Sequence, residues 1–241
     1  MLTNSFIHIP GINKQKEVEL WQNDILTWQE FLQRQPKHSQ VLQESIQAKE
    51  NKDHHFFLKR LPNNEHWRVY KEFKTCFLDI ETTGLSRDRD DLTLIGLYDG
   101  QESKIFINGK NLNHFPEEIA KYQTIVTFNG KCFDVPFLKA KFPGLNLEKF
   151  HIDLRYVMKD LGYFGGLKKI ERELGIQRDD DLQDVNGFEA VRLWYKYKRG
   201  SEEALNLLVK YNLADIENLK TLADFTYEKM RERNFHSNLK Y

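Results

Sequence analysis

Three short runs of the chain carry side chains able to do chemistry together. The first is Cys76-Phe77-Leu78-Asp79-Ile80-Glu81-Thr82-Thr83-Gly84-Leu85. An apolar run that ends in acids and a Thr-Thr-Gly turn reads as a strand. Residues i and i+2 of a strand point to one face, so the carboxylates of Asp79 and Glu81 stand side by side at its end. Like charges so placed repel and resist losing water, and a divalent cation is the simplest compensation. Taken alone, a D-x-E also describes a strand that has ended, with both acids solvated at a turn. The second run is Asn129-Gly130-Lys131-Cys132-Phe133-Asp134, directly after Ile125-Val126-Thr127-Phe128. It places an Asn at a strand end and an Asp at the start of a helix, in the crevice where open α/β sheets bind ligands. Asp134 ahead of Val135 and Pro136 is also a good helix N-cap. The third is Tyr211-Asn212-Leu213-Ala214-Asp215, whose Tyr211 and Asp215 share a helix face with Leu208, Leu219 and Leu222. An Asp bordering an apolar stripe needs a partner, unless it reaches water from that boundary. Each motif lies on the element that suits it, and the four carboxylates Asp79, Glu81, Asp134 and Asp215 could converge on hard cations. Oxygen-only ligands suit Mg²⁺ or Mn²⁺ rather than zinc.

The elements that must position these groups follow from the pattern around them. Strands are predicted over about 74–81, 91–98 and 103–108, as a meander with turn residues between the runs. A helix is predicted at FPEEIAKYQ, where Pro116 and two Glu suit a first turn. A short buried strand at TIVTFNG, a helix over 134–141 and a strand at FHIDL, 150–154, come next, and the remainder reads as helix, including Glu202 to about Arg231. The order β-β-β-α-β-α-β followed by helices predicts an α/β fold, with a mixed sheet flanked by helices. Residues 1–73 read as a small helical N-terminal region: the first 74 residues hold five of the eight His and no β-branched run of strand length. The second expected domain spans 74–233.

Together the motifs D-x-E, N-x-x-x-F-D and Y-x-x-x-D resemble the DEDD (DnaQ-like) exonuclease superfamily, Tyr subclass, which has a ribonuclease-H-like fold. Arg60-Leu61-Pro62, Trp67-Arg68, the run 77–85, Phe128-Asn129-Gly130-Lys131 and Leu167-Lys168-Lys169-Ile170-Glu171-Arg172-Glu173-Leu174-Gly175-Ile176 are similar to the YprB-type ribonuclease-H-like family. Many members of that family carry His where this chain has Tyr211. The resemblance implies two-metal hydrolysis of a phosphodiester from a 3′ end of single-stranded DNA or RNA, with two Mg²⁺ or Mn²⁺ ions. Asp79 would bridge the ions, Glu81 and Asp215 would complete the first site, Asp134 would support the second, and Tyr211 would orient the attacking water. Backbone N–H groups of Thr82, Thr83, Gly84 and Leu85 would meet the terminal nucleotide, with Leu85 against the base. Asn129 and Phe133 are further expected substrate contacts.

Charge and composition limit the alternatives. The 241 residues hold 36 Lys+Arg and 36 Asp+Glu, so a bulk polycation is excluded and any nucleic-acid site must be a local patch. Residues 139–178 carry nine Lys+Arg against five Asp+Glu. Arg192, Lys196, Lys198 and Arg199 interleave with Trp194, Tyr195 and Tyr197, as phosphate and base contacts or as a solvated helix face over core aromatics. Gly165-Gly166 before Lys168 could bring helix amides and an ammonium to phosphate. Asp153 reads first as a helix cap, with support of the metal-holding acids as the alternative, and Asp179-Asp180-Asp181 reads as a solvated loop. Phe6 to Leu32 resembles a helix-hairpin-helix segment, with Asn13 at the usual second Gly; Asn tolerates the left-handed conformation such a turn needs. Cys76 and Cys132, both in apolar sequence, cannot make a metal site or a disulfide framework alone. No apolar run reaches the roughly 18 residues of a membrane span, and no leader pattern opens the chain, so a cytoplasmic protein without a membrane partner is expected. A non-catalytic nucleic-acid-binding module or an endonuclease on the same fold remain alternatives to the exonuclease.

Overall fold

The computed structural model describes every residue except 35–37, 183–184 and 240–241. The chain divides into two compact units, Met1–Phe73 with Phe225–Tyr241, and Lys74–Asp224.

The first unit is built from α1 (Lys14–Gln22), α2 (Trp28–Arg34), α3 (Ser39–Glu50) and α4 (His54–Leu58). Trp21, Trp28, Phe31, Leu42, Phe57 and Trp67 form its buried apolar interior. Arg68 is buried among them and pairs with Glu65 at 2.7 Å and Glu17 at 3.0 Å, while Glu17 also accepts the Phe6 amide at 2.6 Å. The Trp67-Arg68 pair is thus part of a buried ion network that ties the turn before α1 to the rest of this unit. Asn13 caps α1 by accepting the Lys16 amide, with an extended φ of −99°. The left-handed residue of the turn is Gly11, φ +82°, and not Asn13 as the helix-hairpin-helix pattern led us to expect.

The second unit is organised by a five-stranded sheet in the order β3-β2-β1-β4-β5. Its strands are β1 (Thr75–Thr82), β2 (Leu92–Tyr98), β3 (Ser103–Ile107), β4 (Thr124–Thr127) and β5 (Phe150–Asp153). β1 pairs antiparallel with β2 and parallel with β4, and β4 pairs parallel with β5, so the sheet is mixed as the element order predicts. The connecting helices are α5 (Phe115–Ile119), α6 (Asp134–Lys141), α7 (Leu154–Asp160), α8 (Leu167–Glu173), α9 (Gly187–Lys198) and α10 (Glu202–Asn234), the last belonging to this unit up to Asp224.

Strand alternation places the acids. Cys76, Leu78 and Ile80 of β1 pack with Ile95 and Leu97 of β2 and with Phe115, Ile119, Phe137 and Leu138 of α5 and α6. The opposite face carries Leu94 against Trp194 of α9 and Leu208 and Tyr211 of α10. Asp79 is paired with Gly96, and Glu81 with Leu94. Cross-strand partners share a face, so both carboxylates look toward α9 and α10. The bulge between Glu81 and Thr82 ends the regular pairing at that point.

Candidate metal centre and active-site cleft

One carboxylate oxygen each from Asp79, Glu81 and Asp215 lies within 4.8 Å of the other two. Glu81 and Asp215 are buried and Asp79 is half-buried. Lost hydration and then the charge of Asp215 raise the carboxyls of Asp79 and Glu81 well above the usual range. Asp215 is raised to about 6 by burial, against the pull of Arg178. Asp134 is 3% exposed and lies outside the set of three. Its charge nevertheless reaches Asp79 and Glu81, and burial pushes its own carboxyl to about 7. It opens α6 after Phe133 at the N-cap, so it is not the cap that its neighbours Val135 and Pro136 suggest. Four carboxylates that raise one another's affinity for protons form a donor set a divalent cation would satisfy, and oxygen-only donors fit Mg²⁺ or Mn²⁺.

Three supports hold this set, and the motifs name none of them. Asn212, fully buried, donates from Nδ2 to Asp79 Oδ2 at 2.9 Å. Only the amide nitrogen can donate to a carboxylate, so this bond fixes the side chain and turns Oδ1 toward Gly96 without a partner of its own among the described residues. A Cβ at Gly96 would collide with that oxygen, which explains a glycine in an otherwise apolar strand. Gly96→Ala is expected to destabilise the chain by about 1–3 kcal/mol in urea unfolding and to weaken Mn²⁺ binding, because α10 must retreat from β2. The second support is Asp153, 1% exposed, which caps α7 through the Arg155 amide, as its position predicts, and accepts the amides of Asn129 at 2.7 Å and Lys131 at 2.9 Å. It thereby fixes the loop between β4 and α6, in which Asn129 takes a left-handed φ of +67°. The third is Arg178, which reaches Asp215.

The cleft above the acids has two adjoining parts. One, of 240 Å³, is lined by Asp79, Glu81, Thr82, Gly84, Leu85, Asn129, Phe133, Asp134, Tyr211 and Asp215. The other, of 280 Å³, adds Gly166 and Lys168 to Asp79, Tyr211 and Asp215. Thr83 lines neither; its amide donates to Asp91 O at 2.9 Å and its hydroxyl accepts the Asp91 amide at 2.8 Å, which closes the loop. Leu85 is 87% exposed at the rim. The Asn129 side chain accepts from Arg155 at 2.6 Å, and Phe133 is half-buried against Phe137. The Lys168 ammonium bonds the carbonyls of Leu182 and Val185 and lies 5.0 Å from the centre of the Tyr211 ring.

The basic surplus of 139–178 is only partly a surface. Arg178 is buried, Lys149 donates to the carbonyl of Tyr122, and Lys168 is engaged as above. Arg192 and Lys196 pair with Glu189, Trp194 is core, and Tyr195 is exposed. Asp179 and Asp181 hold Lys210. Cys132 is exposed beside the Tyr156 hydroxyl rather than in an apolar setting, whereas Cys76 is buried as expected.

The sequence profile of the RNase_H superfamily matches residues 76–227, a stretch that contains all four carboxylates and both strands that carry the first two motifs. The chain belongs to the RNase_H superfamily. This RNase_H member is 28% identical over 175 residues to the uncharacterized protein YprB of Bacillus subtilis (strain 168), a match covering 64% of this chain and 42% of YprB. The chain therefore spans less than half the length of that relative. Among solved structures, the family B DNA polymerase of the hyperthermophilic archaeon Pyrobaculum calidifontis matches with a TM-score of 0.51 at 15% identity, over 63% of this chain and 24% of the polymerase. Brucella melitensis NrnC with bound Mg²⁺ matches with a TM-score of 0.47 at 20% identity, over 72% of this chain and 79% of NrnC. The RNase_H fold and the YprB kinship expected from the motifs are both found. Among the described residues, no helix is long and apolar enough to cross a membrane.

Proposed function

We propose that this chain is a metal-dependent 3′–5′ exonuclease of the Tyr subclass, hydrolysing phosphodiester bonds of single-stranded DNA or RNA. The observation that carries the reading is the convergence of Asp79, Glu81 and Asp215 within 4.8 Å, in a cleft that also holds Asp134 and Tyr211. Asp79, Glu81 and Asp215 would hold one Mg²⁺ or Mn²⁺, and Asp79 with Asp134 a second. When bound, such ions supply an activated water and charge stabilisation for the leaving oxygen. The chain's own groups do the rest. Before any cation binds, burial and then the neighbouring carboxylates push the Tyr211 phenol further above its ordinary value, so the metal-free chain holds it protonated at neutral pH. A protonated phenol orients water or a phosphate oxygen by hydrogen bonding and does not act as a base. The exposed Leu85 side chain is placed to pack on a terminal base, and Gly166 and Lys168, whose ammonium is held by the carbonyls of Leu182 and Val185, line the part of the cleft where a phosphate would lie. The 82–85 loop contributes amides other than that of Thr83, which is already bonded.

The test is a 5′-labelled single-stranded oligonucleotide, as DNA and as RNA, incubated with Mn²⁺. A ladder shortened from the 3′ end supports the reading; cleavage of a circular single strand replaces it with an endonuclease, and binding without turnover replaces it with a binding module. Tyr211→Phe is expected to lower kcat about 100-fold while Mn²⁺ affinity stays unchanged, because the phenol orients a reactant and holds no cation.

A further inference from the structure

Arg178 and Glu171 lie outside the three acidic motifs, yet both are buried beside them, with side-chain exposures of 6% and 2%. Arg178 forks onto Glu171, Nε to Oε2 at 2.7 Å and Nη2 to Oε1 at 2.6 Å. The same Nη2 donates to Asp215 Oδ1 at 2.5 Å. Asn218, three residues after Asp215 on α10, donates Nδ2 to Glu171 Oε1 at 2.9 Å. The chain of contacts therefore leaves α10 at Asn218, crosses α8 at Glu171 and the following loop at Arg178, and returns to α10 at Asp215.

The charges decide what this circuit can do. A lone arginine on Asp215 would act as a built-in competitor for a divalent cation. Here the guanidinium is already neutralised by a bidentate carboxylate, and what it offers Asp215 is a directed hydrogen bond with little net charge. That bond engages Oδ1, while one carboxylate oxygen of Asp215 still lies within 4.8 Å of those of Asp79 and Glu81. We infer that Arg178 is a positioning residue: held by Glu171 and Asn218, it fixes the Asp215 carboxylate so that one oxygen is turned toward the metal ions. The inference rests on the metal-dependent reading of the same site and adds to it a support that acts through Asp215 and touches neither ion nor substrate.

The measurement is Mn²⁺ binding to the full chain by titration calorimetry and electron paramagnetic resonance, with circular dichroism to monitor folding. Partners of metal-bound carboxylates change affinity about 10–100-fold when removed. Arg178→Gln is expected to weaken Mn²⁺ binding about tenfold or more, and Arg178→Lys to recover part of that loss, since an ammonium cannot fork onto Glu171 and still hold Asp215 in the same geometry. Glu171→Gln is expected to weaken binding as well, because the freed positive charge then opposes the cation. Should Arg178→Gln fail to fold, Asn218→Ala carries the test with a smaller loss of the same sign. Unchanged affinity in folded Arg178→Gln or Asn218→Ala overturns the inference, as does tighter binding, which would make Arg178 a competitor. An unmodified chain that binds no Mn²⁺ also overturns it. Mn²⁺ binding that depends on Arg178 in a chain that cleaves nothing would leave the inference standing and remove the nuclease reading.

Discussion

Asp79→Asn is expected to abolish metal-dependent cleavage, with kcat reduced about 10³-fold or more, while the substituted chain folds at least as stably as the original in EDTA. Asp79 is the carboxylate that the other acids surround. Its charge and those of Asp215, Asp134 and Glu81 are mutually repulsive, and it lies in the set of three whose oxygens are within 4.8 Å. Removing it takes away a ligand that both ions would share, and metal stabilisation of a reacting phosphate is worth several kcal/mol, about tenfold in rate for each 1.4 kcal/mol. The amide replacement keeps an oxygen to accept from Asn212, so the hydrogen bond that anchors Asp79 survives. An acid kept only for structure would show the opposite pairing, lower stability with little change in turnover. The check is 3′-end cleavage at saturating Mn²⁺ beside a thermal unfolding curve in EDTA. Retained cleavage above one per cent would remove Asp79 from the centre of the site.

Which parts of this site can be seen in the sequence depends on whether they follow the period of their own element. Asp79 and Glu81 obey the two-residue period of β1, and Tyr211 and Asp215 the four-residue step of α10, so types and spacing alone suffice to pair them. Of their supports, Asn212 shares α10 with Tyr211 and Asp215, but Asp153 and Arg178 follow no such period. Arg178 lies in a loop, and its partners Glu171 and Asp215, on two different helices, are 44 residues apart in the sequence, a juxtaposition only the fold creates. A weaker signal was present: Glu171 falls on the stripe of Leu167, Ile170 and Leu174, where an acid needs a buried partner. Gly96 inside Leu94-Ile95-Gly96-Leu97 was a second, since a glycine within a strand marks the close approach of another element. Charge counting misjudged the basic segment for a related reason. A count weighs Arg178, Lys149 and Lys168 like any surface cation, yet each is spent on an internal carboxylate or carbonyl. The loop after β1 shows the converse: Leu85, an apolar residue a core would normally claim, is left 87% exposed at the rim of the cleft.

The same crowding of acids predicts an unusual dependence of stability on pH when no divalent ion is bound. Asp134 and Asp215 have folded-state values of about 7 and about 6, above those of the unfolded chain near 4. Between those limits the folded chain holds protons that the unfolded chain has released, so stability falls as pH rises, and the full penalty is reached above about pH 7. His8 works in the other direction. Burial holds its imidazole at about 3, so acidification below about 6.5 favours the unfolded chain. The two effects separate in a comparison of Asp134→Asn with the unmodified chain, because His8 is common to both. In EDTA the substituted chain should gain stability relative to the unmodified one as pH rises from 5 to 8, by on the order of a few kcal/mol. Saturating Mn²⁺ should shrink or invert that difference, since a cation that binds only the folded, deprotonated cluster stabilises the unmodified chain by about 2.7 kcal/mol at 100 times its Kd. A difference that does not grow with pH would mean that Asp134 is already ionised in the free protein at pH 5. The repulsion that makes this cluster costly when empty is the same property that suits it to hold a divalent ion.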